Sequence, residues 1–212
     1  MAMSSPSLRH LPHGDDLLLR ETNHRCANDL QLVVSLLGLQ SRRAEIPEVR
    51  QALADAMDRV AILARARGAI NHGSLSLEAA LLQTCEALQA QAEPRSILIS
   101  LHIRQNTVSL SANQITILAL VVNELTTNAI KHAFSEGASG HVTITVNRIT
   151  GGDLVITIDD DGLPLPKHGS VQGSGLGLGL AKRLMASIDG LLIPPSPGSK
   201  LFQLEITPAA EC

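Results

Sequence analysis

Polar side chains that could hold a metal-bound polyphosphate occur in the segment Asn123–Phe134, which reads NELTTNAIKHAF. Apolar residues recur there at helical spacing, and Asn123, Asn128 and Lys131 lie on or near a second face of the same helix. Carboxamide oxygens can ligate a hard divalent cation, and an ammonium group can contact phosphate oxygens. A polar stripe that faces solvent would give the same pattern, so this helix alone leaves both interpretations open.

Two glycine-bearing segments downstream could complete such a site. Residues 159–166, DDDGLPLP, follow a predicted strand, where a carboxylate could accept from the exocyclic amine of a base while the backbone turns closely past it at Gly162. An ordinary turn is the alternative. Residues 173–180, GSGLGLGL, lead into a helix whose backbone amides could cradle phosphate. Neither a Walker loop nor the dinucleotide fingerprint fits the spacing.

A histidine near the N-terminus could act as a nucleophile. His24 has Glu21 one helical turn before it and Asn28 one turn after it, and the three face away from the apolar stripe of their helix. A neutral imidazole is a competent nucleophile, and nearby polar groups can fix its tautomer. An exposed histidine with no chemical role is the alternative.

The N-terminal elements predict a helical hairpin. After a tail at 1–13, helical patterns run over Asp15–Arg43 and Glu48–Ile70, so the hairpin occupies 14–72. Such a hairpin cannot bury both of its apolar stripes well by itself. Two copies would form a four-helix bundle, so we predict a homodimer.

Residues 76–212 predict an α/β sandwich with helices packed on a mixed sheet, and the whole chain is therefore α+β. Ser111 is a predicted N-cap, and the turn at 150–153 would join an antiparallel pair. The predicted helices are Leu77–Ala92, the long helix after Ser111 and Leu180–Ser187; the predicted strands are Ile97–Ile103, Thr107–Leu110, His141–Arg148, Leu154–Asp159 and Lys200–Ile206.

Composition narrows the classes of function. The chain has 212 residues, of which 44% are apolar and only 1% aromatic, so we expect a folded protein with an aliphatic core. A net charge of -3 and a pI of about 6.2 give no basic footprint for nucleic acid. We expect no membrane span, because no apolar run approaches the required length. The cysteines, Cys26, Cys85 and Cys212, fit free thiols in a cytoplasmic protein.

Four motifs together resemble those of two-component sensor histidine kinases of the HWE-like subfamily. Asn123–Phe134, Asp160–Pro164 and Gly173–Gly179 resemble the N, G1 and G2 boxes of the GHKL (Bergerat) ATP-binding domain. Residues 21–31, ETNHRCANDLQ, resemble the ExxHRxxNxLQ phosphoacceptor box. The resemblance runs from about Leu17 to Ile206.

The resemblance implies a role for each matching residue. His24 would be the phosphoacceptor, which Glu21 and Asn28 would position or activate. Mg²⁺ would be ligated by Asn128, and the phosphates of ATP would lie near Asn123 and Lys131. Adenine and its phosphates would be held by Asp160, Gly162, Gly173, Gly175 and Gly177, the last three as the hinge of a lid.

The resemblance also implies a reaction and partners. A histidine kinase would phosphorylate His24 from Mg-ATP and pass the phosphoryl group to an aspartate on a response-regulator receiver domain. A separate sensor protein could supply its input in trans. The hairpin would dimerise and carry the phosphoryl group, and residues 76–212 would bind ATP.

This chain departs from the family pattern at three places. Pro164 replaces the second glycine of the G1 box, the lid between Pro166 and Gly173 is short, and Ala27 and Asp29 replace the usual Lys and Asn. One alternative is a phosphotransfer protein whose ATP-like domain binds no nucleotide, which Pro164 and the lack of a preceding sensor segment would favour. Another is a GHKL ATPase in which Glu124 activates water.

Overall fold

The computed structural model describes residues 14–71, 76–104, 109–149, 152–163, 175–196 and 198–207. The chain divides into two compact units, Met1–Ser74 and Leu75–Cys212. Several predicted features lie outside the described residues: the tail at 1–13, residues 107 and 108 of a strand, residues 150 and 151 of a turn, Pro164, the lid segment up to Gly173, and Cys212.

The first unit is a helical hairpin of α1 (Gly14–Arg43) and α2 (Pro47–Asn71). Pro47 starts α2 because its fixed φ suits the first helical position, where no intrahelical N–H bond is lost. The connection is held by Ser41 Oγ, which donates to the Arg50 carbonyl at 3.0 Å, and by Arg50 Nη2, which donates to the Ala44 carbonyl at 2.9 Å. The two helices therefore leave the turn antiparallel and in a defined register.

The hairpin does not bury all of its apolar side chains, as the sequence predicts. Large apolar residues remain exposed on both helices, and on α2 two of them, Val49 and Leu63, are two heptads apart. The exposed set is Leu32, Val33, Leu36, Leu39, Ile46, Val49 and Leu63.

The second unit contains three helices and five strands among the residues that the structure describes. In chain order these are α3 (Leu77–Ala92), a short 3-10 helix (Glu93–Arg95), β1 (Ile97–Ile103), α4 (Ala112–His132), β2 (Gly140–Arg148), β3 (Leu154–Asp160), α5 (Gly175–Ala186), β4 (Leu191–Ile193) and β5 (Phe202–Ile206).

The strands form one mixed sheet in the order β1-β2-β3-β5-β4. The β1–β2 pair is parallel and the other pairs are antiparallel. In β2, Val142, Ile144 and Val146 are buried while the residues between them are partly exposed. This alternation is typical of a sheet covered on one face, and α3, α4 and α5 supply the covering layer. The predicted sandwich is confirmed.

The core is aliphatic, as predicted, apart from Phe134. Cys85 belongs to this core, and burial raises the pKa of its thiol to about 11. Cys26 in α1 is half-buried, and both of these cysteines are free thiols.

Several element boundaries predicted from the sequence are wrong. No strand covers Ser109 and Leu110, and β5 begins at Phe202 instead of Lys200. α5 begins at Gly175, five residues before the predicted start at Leu180, so part of the glycine-rich run is helical. β4 and the short 3-10 helix were not predicted, because three residues are too few to show a period.

The C-terminal end of α4 accepts hydrogen bonds from two segments that are distant in the chain, one before β1 and one after β3. Arg95 donates through Nη1 to the Ile130 carbonyl and through Nη2 to the Phe134 carbonyl, at 3.0 Å for the second. The Leu163 amide donates to the Ala133 carbonyl at 2.6 Å. The last carbonyls of a helix have no intrahelical donors, so these contacts satisfy groups that would otherwise need water.

Arg95→Met is expected to lower the free energy of unfolding by about 2 kcal/mol, because it leaves two carbonyls without a charged donor. Urea unfolding followed by circular dichroism measures this, since the chain has no Trp or Tyr to report by fluorescence. Arg148→Met is the matched control. That exposed side chain donates only to the Gly152 carbonyl, four residues away. Equal losses in the free energy of unfolding for the two variants would show that the hydrogen bonds of Arg95 to the end of α4 do not stabilise the protein.

Gly162→Ala is expected to destabilise the protein by roughly 1–3 kcal/mol, as overpacking does. A Cβ at Gly162 would lie 2.2 Å from the Ala133 carbonyl oxygen, which the Leu163 amide holds in place. The control is Gly179→Ala in α5, where a Cβ meets nothing within 4 Å. That change should stabilise by about 0.5–1 kcal/mol, because alanine favours a helix interior. The same urea titration compares them, and destabilisation by both variants would contradict the close approach at Gly162.

Candidate functional site

Asp160 is the least exposed member of a run of three aspartates. Ile156 and Ile158 are buried in β3, and alternation places Asp160 on the same side of the sheet, paired in register with Val142. Its side chain is only 12% exposed, whereas that of Asp161 is 56% exposed. One carboxylate is thus presented to the helix-covered face at the end of the strand.

The surroundings of Asp160 engage one of its two oxygens. The Gly162 amide donates to Oδ1 at 3.0 Å, and Lys200 Nζ lies 3.8 Å from the same atom. Burial raises the pKa of Asp160, an effect that the Gly162 amide and the charge of Lys200 partly oppose. Oδ2 makes no hydrogen bond with any residue that the structure describes. That oxygen can therefore accept from a ligand.

Asp161 anchors the same turn to the start of β2. The His141 amide donates to Asp161 Oδ1 at 2.7 Å, and His141 Nδ1 lies 3.2 Å from Oδ2. The Asp161 amide in turn donates to the His141 carbonyl at 3.2 Å. The pKa of Asp161 is lowered, chiefly by the hydrogen bond from the His141 amide. The turn after β3 is therefore held to the start of β2 through Asp161 and to the end of α4 through Leu163.

The polar residues of α4 do not form a stripe that faces solvent. Asn123 and Glu124 are buried, each with 6% exposure, while Asn128 and Lys131 are half-buried. The solvent-facing interpretation is therefore wrong for the first two. Ser111 caps the helix as predicted, in a capping box with Gln114.

The carboxamides of α4 have chemistry that suits a bound nucleotide. Within the described part of the chain, Asn123 and Asn128 make no side-chain hydrogen bonds, whereas Glu124 and Lys131 are each engaged in an interaction. The described residues contain no group of three or more His, Cys, Asp or Glu that could hold a metal. Mg²⁺ bound to phosphates needs only one or two protein ligands, so a carboxamide oxygen fits that role.

The glycine-rich segment contributes a helix N-terminus. Gly175 and Gly177 lie in the first turn of α5, where the backbone N–H groups have no intrahelical acceptors. Gly173 lies outside the described residues. α5 packs against α4, which also packs against β3. Asp160, the α4 carboxamides and the start of α5 thus belong to one packed unit.

The histidine predicted as a nucleophile lies on the other unit. His24 is exposed on α1, and Asn28 Nδ2 lies 3.3 Å from His24 Nδ1. Glu21 instead accepts from Arg25 Nε at 2.8 Å, and this hydrogen bond lowers the pKa of Glu21. Of the two residues predicted to position His24, the structure brings Asn28 to the ring and pairs Glu21 with Arg25.

Lys200 was missed by the sequence reasoning. The β3–β5 ladder ends with the pair Ile158 and Phe202, and the residues two positions beyond that pair, Asp160 and Lys200, lie close together, with Nζ 3.8 Å from Oδ1. An antiparallel alignment of the predicted strands Leu154–Asp159 and Lys200–Ile206 could have indicated that Lys200 lies near Asp160.

Two family models match the chain. The model described as "Histidine kinase" matches residues 21–89, and the one described as "Histidine kinase-like ATPase domain" matches residues 86–190. Together they cover both His24 and the residues around Asp160.

No described helix is long and apolar enough to cross a membrane.

Curated relatives carry the same description. "Sensor histidine kinase PdtaS" of Mycobacterium tuberculosis (strain ATCC 25618 / H37Rv) is 34% identical over 187 residues, which cover 84% of this chain and 36% of the relative. "Blue-light-activated histidine kinase 2" of Erythrobacter litoralis (strain HTCC2594) is 29% identical over 185 residues, which cover 82% and 51%. The chain thus spans about a third to a half of the length of these relatives.

Solved structures share the fold. The Erythrobacter litoralis EL346 blue-light activated histidine kinase aligns with a TM-score of 0.67 and 24% identity, over 95% of this chain and 62% of that one. Its isolated histidine kinase domain aligns with a TM-score of 0.62 and 25% identity, over 90% and 93%. The matched segments, the relatives and the fold show that this chain belongs to the family of sensor histidine kinases, in which a helical region precedes a GHKL-type ATPase domain.

Proposed function

We propose that this chain autophosphorylates His24 from Mg-ATP and passes the phosphoryl group to an aspartate on a response-regulator receiver domain. The observation that carries the proposal is Asp160, a largely buried carboxylate with one oxygen satisfied by Gly162 and the other left for a ligand. A carboxylate in this position is costly in the free protein, and a bound amine donor would offset that cost.

The second unit would hold the nucleotide. Asp160 Oδ2 would accept from the exocyclic amine of adenine, and Gly162 allows the backbone to pass close to α4. Asn123 and Lys131 would face the phosphates and Asn128 would ligate Mg²⁺, which neutralises phosphate charge when bound. The first-turn amides at Gly175 and Gly177, with Gly173 before them, would contact the phosphates.

His24 would accept the phosphoryl group. The ring nitrogen that carries the lone pair attacks the γ-phosphorus, so an N–P bond forms and the bond to the ADP oxygen breaks. Asn28 influences which ring nitrogen of His24 carries the lone pair. When the amide nitrogen of Asn28 faces Nδ1, the ring proton lies on Nε2 and the lone pair on Nδ1. When the carboxamide is rotated by a half-turn, its oxygen accepts from Nδ1–H, and Nε2 carries the lone pair on an exposed ring.

The assembly would be a homodimer through the hairpin. Among the described residues, six large apolar side chains are exposed on α1 and α2, and Ile46 is exposed in the turn between them. Exposed apolar surface of this kind marks an interaction site. Pairing with a second hairpin would bury such a surface in a four-helix bundle. A receiver domain would then approach the exposed His24, and a separate sensor protein could act in trans. Free thiols and the use of ATP fit a cytoplasmic location.

Incubation with γ-labelled ATP and Mg²⁺ is expected to place an acid-labile, base-stable label on the parent protein. His24→Gln should carry no label, because it removes the nucleophile. Asn128→Ala should reduce the labelling rate by about 100-fold or more, the scale of losing one group that stabilises transferring charge. His102→Ala, at an exposed histidine of β1, is the control and should label normally.

Label that survives in His24→Gln would contradict the assigned acceptor. A parent that binds no ATP, yet accepts a phosphoryl group from a phosphorylated receiver domain, would instead establish the phosphotransfer protein. Hydrolysis of ATP without any labelled protein would favour the GHKL ATPase that uses Glu124.

Leu63→Glu is expected to weaken the homodimer by roughly 100-fold or more, because an unpaired carboxylate in an apolar interface costs several kcal/mol. Light scattering after size exclusion, over a range of concentrations, gives the oligomeric state. Leu191→Glu is the control, since Leu191 is comparably apolar and 54% exposed but lies in β4 of the second unit. A parent protein that is monomeric at all concentrations would contradict the proposed homodimer.

A further inference from the structure

Lys200 lies beside Asp160, and both side chains are largely shielded from solvent. The last pair of the β3–β5 ladder is Ile158 and Phe202, and Lys200 lies two residues before β5 while Asp160 ends β3. Lys200 Nζ is 3.8 Å from Asp160 Oδ1, and the two side chains are 19% and 12% exposed. The ammonium is therefore presented at the same place as the carboxylate.

The contact between the two charges leaves the donors of Lys200 available. Its Nζ is 3.8 Å from Asp160 Oδ1, which is too long for a hydrogen bond. The Gly162 amide donates to that oxygen at 3.0 Å. No other partner of Lys200 occurs among the residues that the structure describes. A largely buried ammonium requires acceptors, so the neighbouring ligand is the group suited to supply one.

We propose that Lys200 is a base-reading residue, whose ammonium donates to ring nitrogen N1 of adenine while Asp160 Oδ2 accepts from the adjacent exocyclic amine. The proposal rests on the nucleotide site proposed above and adds a specificity-determining residue to it.

The pair matches one arrangement of ligand groups. Adenine presents an amine donor next to a ring acceptor on its Watson–Crick edge, which complements a carboxylate beside an ammonium. Guanine presents a carbonyl oxygen and a ring N–H in those places, so the same orientation would set oxygen against carboxylate and N–H against ammonium. The pair therefore selects ATP over GTP.

The test compares ATP with 1-deaza-ATP, in which a C–H replaces N1, for the parent and for Lys200→Met. Calorimetric titration with Mg²⁺ at pH 8 gives the affinities. An alkaline pH is chosen because removing Lys200 withdraws a charge that lowers the pKa of the Asp160 carboxyl, and a higher pH favours the ionised form. The parent should prefer ATP by about 10- to 100-fold, the scale of a hydrogen bond to a charged group. Lys200→Met should bind both nucleotides with nearly equal affinity, losing affinity for ATP alone.

Two further variants make the result specific. Lys182→Met, at an exposed lysine of α5, is the matched control and should keep the parent's preference. Lys200→Arg keeps a charged donor opposite Asp160 and should retain part of the preference for ATP, which guards against an unfolded Lys200→Met protein. Urea unfolding checks that each variant folds.

The outcomes separate the two proposals. Equal loss of both nucleotides in folded Lys200→Met would show that Lys200 only neutralises Asp160, and would overturn the base-reading role. A parent that binds ATP and 1-deaza-ATP equally, or GTP more tightly than ATP, would overturn it as well. A parent that binds no purine triphosphate would overturn the proposed kinase function and the role of Lys200 together.

Discussion

The hydrogen bonds at the end of α4 hold the segments before β1 and after β3 against that helix. Arg95, from the segment before β1, satisfies the carbonyls of Ile130 and Phe134. The Leu163 amide, from the segment after β3, satisfies that of Ala133. A buried helix end needs such donors in any case. Because Leu163 lies in the turn that follows Asp160, its bond to Ala133 also holds the Asp160 carboxylate near the end of α4.

The three consecutive aspartates show how a strand gives like residues different chemistry. Asp159 is exposed, Asp160 is half-buried with a raised pKa, and Asp161 is exposed with a lowered pKa. A folded-state pKa above the unfolded value means that the stability contributed by Asp160 is present at low pH and is lost as pH rises through the folded pKa. Ionisation of Asp160 in the folded protein therefore opposes folding. A protein keeps such a group where a ligand can satisfy it.

The two units handle apolar surface differently. The second unit closes a core from three helices and one face of a five-stranded sheet, and Leu81, Leu118 and Ile156 are fully buried there. The hairpin leaves Leu36 and Val49 exposed, because two helices have only one shared seam. The proposed phosphoacceptor and the side chain beside it are close in sequence, since His24 and Asn28 are one turn apart on α1.

Elements whose hydrophobic period extends over many residues, and motifs whose residues are close in the chain, could be predicted from the sequence. The sequence predicted the bounds of α3 and β1, the cap at Ser111, the exposure of His24 and the order of the boxes in the second unit. Only the tertiary structure decided the burial of Asn123, the clamp by Arg95 and the partner of Asp160. These depend on pairs of residues that are distant in sequence, and a periodic pattern carries no information about which strand or helix end a side chain will meet.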